Sequence, residues 1–123
     1  MRIVTEGVVG MGFIYHIALA ADWTQAQGVG EYTTSTRGVT LAQQGYIHES
    51  TAEQVAPVAA FYVDEPDLVL LFINEDKVRP EIRYDDVPGQ ERPFPHIYGP
   101  LNVDAVESAL PFDPRDPDRF RRG

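Results

Sequence analysis

The chain contains no cysteine, which excludes disulfide frameworks, thiolate metal sites and cysteine nucleophiles. Basic residues are scarce: 10 Lys and Arg stand against 19 Asp and Glu, for a formal charge of −9. Such a surface repels a phosphate backbone at long range, so nucleic acid is not an expected partner. No apolar run approaches the roughly 20 residues that span a bilayer, and a membrane is not an expected partner either. The first seven residues lack the apolar stretch and cleavage site of a secretory signal, which makes a cytoplasmic location the expectation. Internal repeats and the Gly-x-Ser-x-Gly nucleophile elbow are absent too. What is present is 123 residues, 43% hydrophobic and 24% charged, enough for one domain that buries roughly 65–70% of its unfolded surface.

Residues 1–12 read as a loose extension, with Met11 as a second candidate start, followed by a single α+β domain over residues 13–112. Phe13 to Leu19 mixes aromatic and β-branched residues and predicts a first strand. Asp22 with Gln25 reads as a capping box opening a short helix from Trp23 towards Gln27, ended by Gly28 and Gly30. Residues 33–44 are polar and predict a loop, with a helical turn around Leu41. Tyr46 to His48 is a second strand, and Ser50 to Glu53 matches a Ser/Thr-x-x-Glu cap for a helix that Pro57 should kink. Leu68 to Ile73 is the most apolar run and the expected central strand. Ile82 to Tyr84 is a short strand, Asp85 to Pro93 a turn, and residues 101–106 a helical turn entering a last strand, Val106 to Phe112. Residues 113–123, rich in Asp, Arg and Pro, are expected to fray as a flexible charged tail. The order lacks the βαβ alternation of a doubly wound sheet and predicts an α+β fold of small, mainly antiparallel sheets.

Each of the three histidines, His16, His48 and His96, stands in an aromatic or apolar setting, which restricts its hydrogen-bond partners and makes a shared pocket an expectation. Their spacings match no local metal-ligand pattern. Ser50 and Thr51 lie where a strand meets a helix start, where hydroxyls and backbone N–H groups can either cap the helix or receive a phosphate or carboxylate. Glu81, Asp85 and Asp86 lie between the apolar strand and the third histidine, so one carboxylate could face the pocket as a base. Arg83, two residues before Asp85, shares its strand face and could pair with it or meet an anion. The Ser/Thr-rich residues 33–36 could gate such a pocket.

These segments carry a resemblance. Ile14 to Ile17 with Trp23 and Gly28, Gly45 to Thr51 with Gln54, Leu68 to Leu71, and above all Phe94 to Leu101 (Phe-Pro-His-Ile-Tyr-Gly-Pro-Leu) resemble the domain-of-unknown-function 952 family over about residues 13–112. That family is similar in fold to the ADP-ribosyltransferase group, so the resemblance implies an ADP-ribosylation-like pair of antiparallel sheets around a dinucleotide cleft. It implies His16 on the first strand, near an adenine-side ribose, and His48 to Thr51 on the next pocket strand. Tyr84 and Asp85 stand where the family often has an aromatic residue and Glu. In an ADP-ribosyl transfer that acid would stabilise an oxocarbenium-like centre, and here it is one methylene shorter.

Together these readings predict a small-molecule site for a nucleotide-like or other small anionic metabolite, with an NAD-like nucleotide as the candidate cofactor and transferase chemistry as the candidate activity. His48 and Asp85 are assigned to catalysis, and His16, Ser50, Thr51, His96 and Tyr98 to ligand binding, with no metal ligand assigned. The alternatives are a non-catalytic protein-interaction module and a metal-assisted enzyme using the three histidines.

Overall fold

A computed structural model describes residues 12–122; the loose extension expected over residues 1–12 falls almost wholly outside the described residues. The first sheet is built around the most apolar run of the chain. Strand β1 (Phe13–Leu19) and strand β10 (Val106–Phe112) flank strand β6 (Leu68–Asn74), all antiparallel. The register runs from Phe13 opposite Asn74 to Leu19 opposite Leu68 on one side. On the other it runs from Val106 opposite Ile73 to Phe112 opposite Leu68, with a bulge between Val106 and Ser108. Pro111 is tolerated because β10 is an edge strand. Central β6 buries Leu68, Leu70, Leu71 and Ile73, as its near-continuous apolar run requires.

The second sheet has the order β5 (Ile47–His48), β8 (Phe94–Tyr98), β7 (Glu81–Asp85), again antiparallel. Two smaller pairs complete the fold: β2 (Glu31–Tyr32) with β9 (Leu101–Asn102), and β3 (Thr34–Thr36) with β4 (Val39–Thr40). The fold is therefore α+β with small antiparallel sheets and few short helices. A backbone bridge joins the two larger sheets: the Tyr15 and Ser50 N–H groups each donate to the other's carbonyl at 2.8 Å.

Helix α1 (Ala20–Val29) buries Trp23 and Ala26 on the expected shared face. Its start differs from the expected Asp22 cap: the helix follows β1 directly, with Leu19 at the N-cap, and Asp22 falls in the first turn, where a carboxylate suits the positive helix end. Gly28 stays helical, and the helix stops at Gly30, whose φ of 92° lets its N–H reach the Ala26 carbonyl at 2.7 Å. The turn expected around Leu41 is helix α2 (Leu41–Gln44), capped by Thr40 with Gln43. After Ser50 the cap slips by one residue: Gln54 Oε1 accepts from the Thr51 N–H at 3.0 Å. A 3-10 turn (Ala52–Gln54), helix α3 (Val55–Ala59) and a second 3-10 turn (Ala60–Tyr62) follow. Pro57 is accommodated because it sits in the first turn of α3, where N–H groups have no helical partner.

The segment expected to fray is in part packed. Helix α4 (Arg119–Arg122) sets the Phe120 ring 5.1 Å from Tyr15 and 5.9 Å from Phe72, so one aromatic residue among the charges is enough to anchor it. The core has two clusters, one of Ile14, Trp23, Tyr32, Ile47, Leu71 and Ile97 among others, the second around Ile17, Val55, Ala59, Tyr62, Leu68 and Leu70.

Candidate functional site

The second sheet sorts its residues by strand alternation. Ile47 and Ile97 are fully buried towards the first core cluster. On the opposite face, His48 lies across from His96, and His96 across from Arg83. Residues two positions along, Tyr46, Phe94, Tyr98, Glu81 and Asp85, extend that face. His48 and His96 are thereby neighbours, with ring centroids 5.6 Å apart.

His96 lies flat on the Tyr46 ring, 4.0 Å between centroids and 14° between planes. Its Nδ1 is 2.8 Å from Asp85 Oδ2, so Nδ1 carries the proton and donates to the carboxylate. The Tyr98 hydroxyl donates to the same carboxylate oxygen. These two bonds, Tyr98 first and His96 second, hold the Asp85 carboxyl below the usual carboxylate range, and the bond to Asp85 in turn raises the Tyr98 phenol. His96 Nε2 is buried and has no hydrogen-bond partner. Arg83 stands 4.5 Å over the Tyr98 ring, with its ion pair going to Glu81 at 3.0 Å and not to Asp85.

His16 belongs to a different environment. Its Nδ1–H donates to the His48 carbonyl at 2.7 Å, and its Nε2 accepts from the Tyr32 hydroxyl at 2.9 Å. Burial lowers its pKa to about 4, so it is neutral. Glu49, fully buried, has a carboxyl oxygen 3.6 Å from His16 Nδ1. Both Glu49 oxygens lack hydrogen-bond partners, and burial raises its pKa well above the usual carboxylate value. Of the three imidazoles expected around one cavity, the structure brings together His48 and His96 and seals His16 into the core. Among the described residues, no group of three His, Cys, Asp or Glu side chains is placed to hold a metal ion. The three-histidine metal arrangement is thus not formed.

His48 opens onto a cleft of about 300 Å3 lined by Ser35, Thr36, Gln44, Tyr46, Val58, Phe61, Tyr62, Val87, Gln90 and Phe94. Burial, and then the nearby His96, lowers the His48 pKa to about 4. The Ser35 hydroxyl is buried without a partner, whereas the Thr36 hydroxyl bonds that of Tyr62 at 2.7 Å. A second cleft of about 370 Å3 contains Thr51, Glu53, Gln54, Pro57, Glu91 and Arg92, and shares Gln90 and Phe94 with the first. Of the residues expected to bind ligand, Thr51 lines this second cleft, and His96 and Tyr98 lie beside the first. Ser50 is buried and tied by its backbone to β1. The amide-rich entrance expected at Ser50 and Thr51 is spent internally, since Thr51 N–H goes to Gln54 and Gln54 N–H to the Thr51 carbonyl at 3.0 Å.

The sequence reading missed Tyr46, Phe61, Tyr62 and Phe94 as lining residues, although Tyr46 and Phe94 stand inside the motifs that carry His48 and His96. Aromatic residues two positions from a histidine on a strand were the available signal, because they share its face.

No curated protein matches the sequence. Among solved structures, the fold is similar to the crystal structure of protein CC0527 from Caulobacter crescentus, with a TM-score of 0.72 at 29% identity over 82% of this chain and 86% of that one. The solution NMR structure of the same protein gives 0.68 at 30% identity over 84% and 86%. These neighbours offer nothing in favour of the ADP-ribosylation-like assignment, and the established description stops at α+β. The family model described as "protein of unknown function (DUF952)" matches residues 17–109, which contain both motif histidines of the second sheet, and the chain belongs to that family.

Proposed function

We propose that this protein binds a small, ring-bearing molecule in the cleft beside His48. The observation that carries the reading is the chemistry of the wall. Tyr46, Phe61, Tyr62 and Phe94 surround a neutral imidazole and a buried, unpartnered Ser35 hydroxyl. Aromatic walls with a few convergent polar groups are what a flat ligand needs, and an unpaired buried hydroxyl is costly unless a ligand completes it.

The electrostatics narrow the ligand. The lining of the first cleft includes no Lys, Arg, Asp or Glu. The adjoining cleft supplies Arg92, but also Glu53 and Glu91. A nucleotide-like ligand with its ring against Tyr46 and Phe94 and a single anionic group near Arg92 suits this better than a polyphosphate does. The ADP-ribosyltransferase-like fold and a transfer step, with Asp85 as the acid and an NAD-like nucleotide as donor, draw their support from the sequence resemblance. A cytoplasmic location is the expectation that a cysteine-free composition carries.

Titration with adenosine, AMP, ADP-ribose and NAD, followed by NMR, tests the reading. The expected result is a shift of the His48 and Phe94 signals with at least one compound. Replacing exposed Phe61 by Ala should weaken that binding about tenfold, the value of one lost stacking contact of roughly 1–3 kcal/mol. No response across the panel would overturn the cleft reading and favour an interaction module, for which Phe61, 74% exposed, and Val63, 41% exposed, are the apolar surface.

A further inference from the structure

The strongest unexplained arrangement is the one behind Tyr46. In the core, His16 has both ring nitrogens satisfied, one by a carbonyl and one by a hydroxyl. His96 is buried equally deeply, yet only Nδ1 is used. A buried nitrogen left without a partner costs about 1–3 kcal/mol, and a phenol is at hand on the same strand. Tyr98 nevertheless gives its proton to Asp85, the carboxylate that His96 already bonds.

That choice has a chemical effect. A carboxylate accepting from Nδ1–H fixes the imidazole in the tautomer whose Nε2 bears a lone pair, and it stabilises the cation formed when Nε2 takes a proton. The second bond, from Tyr98, keeps Asp85 ionised and aimed. The ring is flanked by residues of the cleft wall: Tyr46 stacked on it, His48 opposite on β5, and Phe94 two positions away on β8.

We propose that Asp85, His96 and Tyr98 form an acid–base unit set one residue behind the cleft wall, with Tyr46 as its cover and His96 Nε2 as acceptor of a proton from a hydroxyl-bearing ligand. In that transfer the ligand O–H bond breaks, the N–H bond at Nε2 forms, and the electron pair stays on the ligand oxygen. Asp85 and Tyr98 are positioning residues that act through the ring. The ligand's place rests on the cleft reading above; the basic nitrogen does not.

The test therefore uses a small electrophile instead of a cleft ligand. With diethyl pyrocarbonate, an unprotonated imidazole nitrogen attacks one carbonyl, the N–C bond forms, ethyl carbonate leaves and the other ring nitrogen gives up its proton; peptide mass spectrometry locates the label. In the full chain, His96 should be labelled while His16 is not, and Tyr46→Leu should speed the labelling of His96. Asp85→Asn should slow it by roughly tenfold or more, because an amide can bond the wrong tautomer. Imidazole 15N shifts give an independent readout that needs no variant: the proton of neutral His96 should reside on Nδ1. A wild-type proton on Nε2 would overturn the proposal, as would His96 labelling no faster than His16 even in Tyr46→Leu, or Asp85→Asn leaving both rate and tautomer unchanged. A protein that labels at His96 but ignores the nucleotide panel would retain the acid–base unit and lose the cleft reading.

Discussion

At the scale of single residues, the chain spends its few cations on neighbouring carboxylates and leaves its buried acid alone. Arg37 pairs with Glu65 at 2.6 Å, Lys77 with Glu107 at 2.9 Å and Arg79 with Asp104 at 2.9 Å, while the Glu49 carboxyl has no hydrogen-bond partner. Burial holds the Glu49 carboxyl well above its ordinary value of 4.5 in the folded protein, so it keeps its proton at pH values where the unfolded chain has released it. The unfolded state thus binds fewer protons above pH 4.5, and stability falls as pH rises through that window. His16 acts in the opposite sense: neutral down to about pH 4 when folded, with an ordinary value of 6.5, it loses stability as pH falls from 6.5 to 4. Glu49→Gln should therefore stabilise the protein, by more at pH 8 than at pH 5, as read from urea unfolding at the two pH values. A variant no more stable at pH 8 would show that Glu49 is ionised in the fold. Such pairings are only half legible in a sequence. Alternation places Asp85, Arg83 and Glu81 on one face, but whether Arg83 takes Glu81 or Asp85 depends on where the His96 and Tyr98 side chains come from, on another strand.

Among the elements, long apolar runs announce themselves and short polar strands do not. Strands β1 and β6 follow directly from their runs of hydrophobic residues, and the expected helical turn entering β10 is the 3-10 turn of Val103–Ala105. The β3–β4 hairpin is built from Thr, Ser and a Gly turn, a composition indistinguishable from a loop until the partner strand is known. Strand β8 contains Pro95, which ordinarily argues against a central strand, yet β8 pairs on both sides. Helix α4 is legible only through Phe120, which packs with Tyr15 and Phe72 against the second core cluster. Phe120→Ala should cost about 1 kcal/mol, the value of a half-buried aromatic side chain, and lower the thermal midpoint. An unchanged midpoint would mean that the tail contributes nothing to stability.

For the molecule as a whole, the two larger sheets differ in how firmly they are made. Strand β6 is paired along both edges, and its Leu70 and Leu71 are 1% and 0% exposed. The hairpin that carries Ser35 is a two-stranded pair with an irregular register between Thr34 and Thr36, and an isolated pair of that kind is marginal. In heavy water, the β6 amides should remain protonated longest, exchanging only through global opening, while those of Thr34 to Thr40 should exchange through local opening well before them. Equal protection in both would mean that the hairpin is as rigid as the central strand. The graded result would give the protein a stiff spine and a yielding flank, so that Ser35 could retreat to admit a guest broader than the resting gap without loosening the strands that hold His48 and His96 in register.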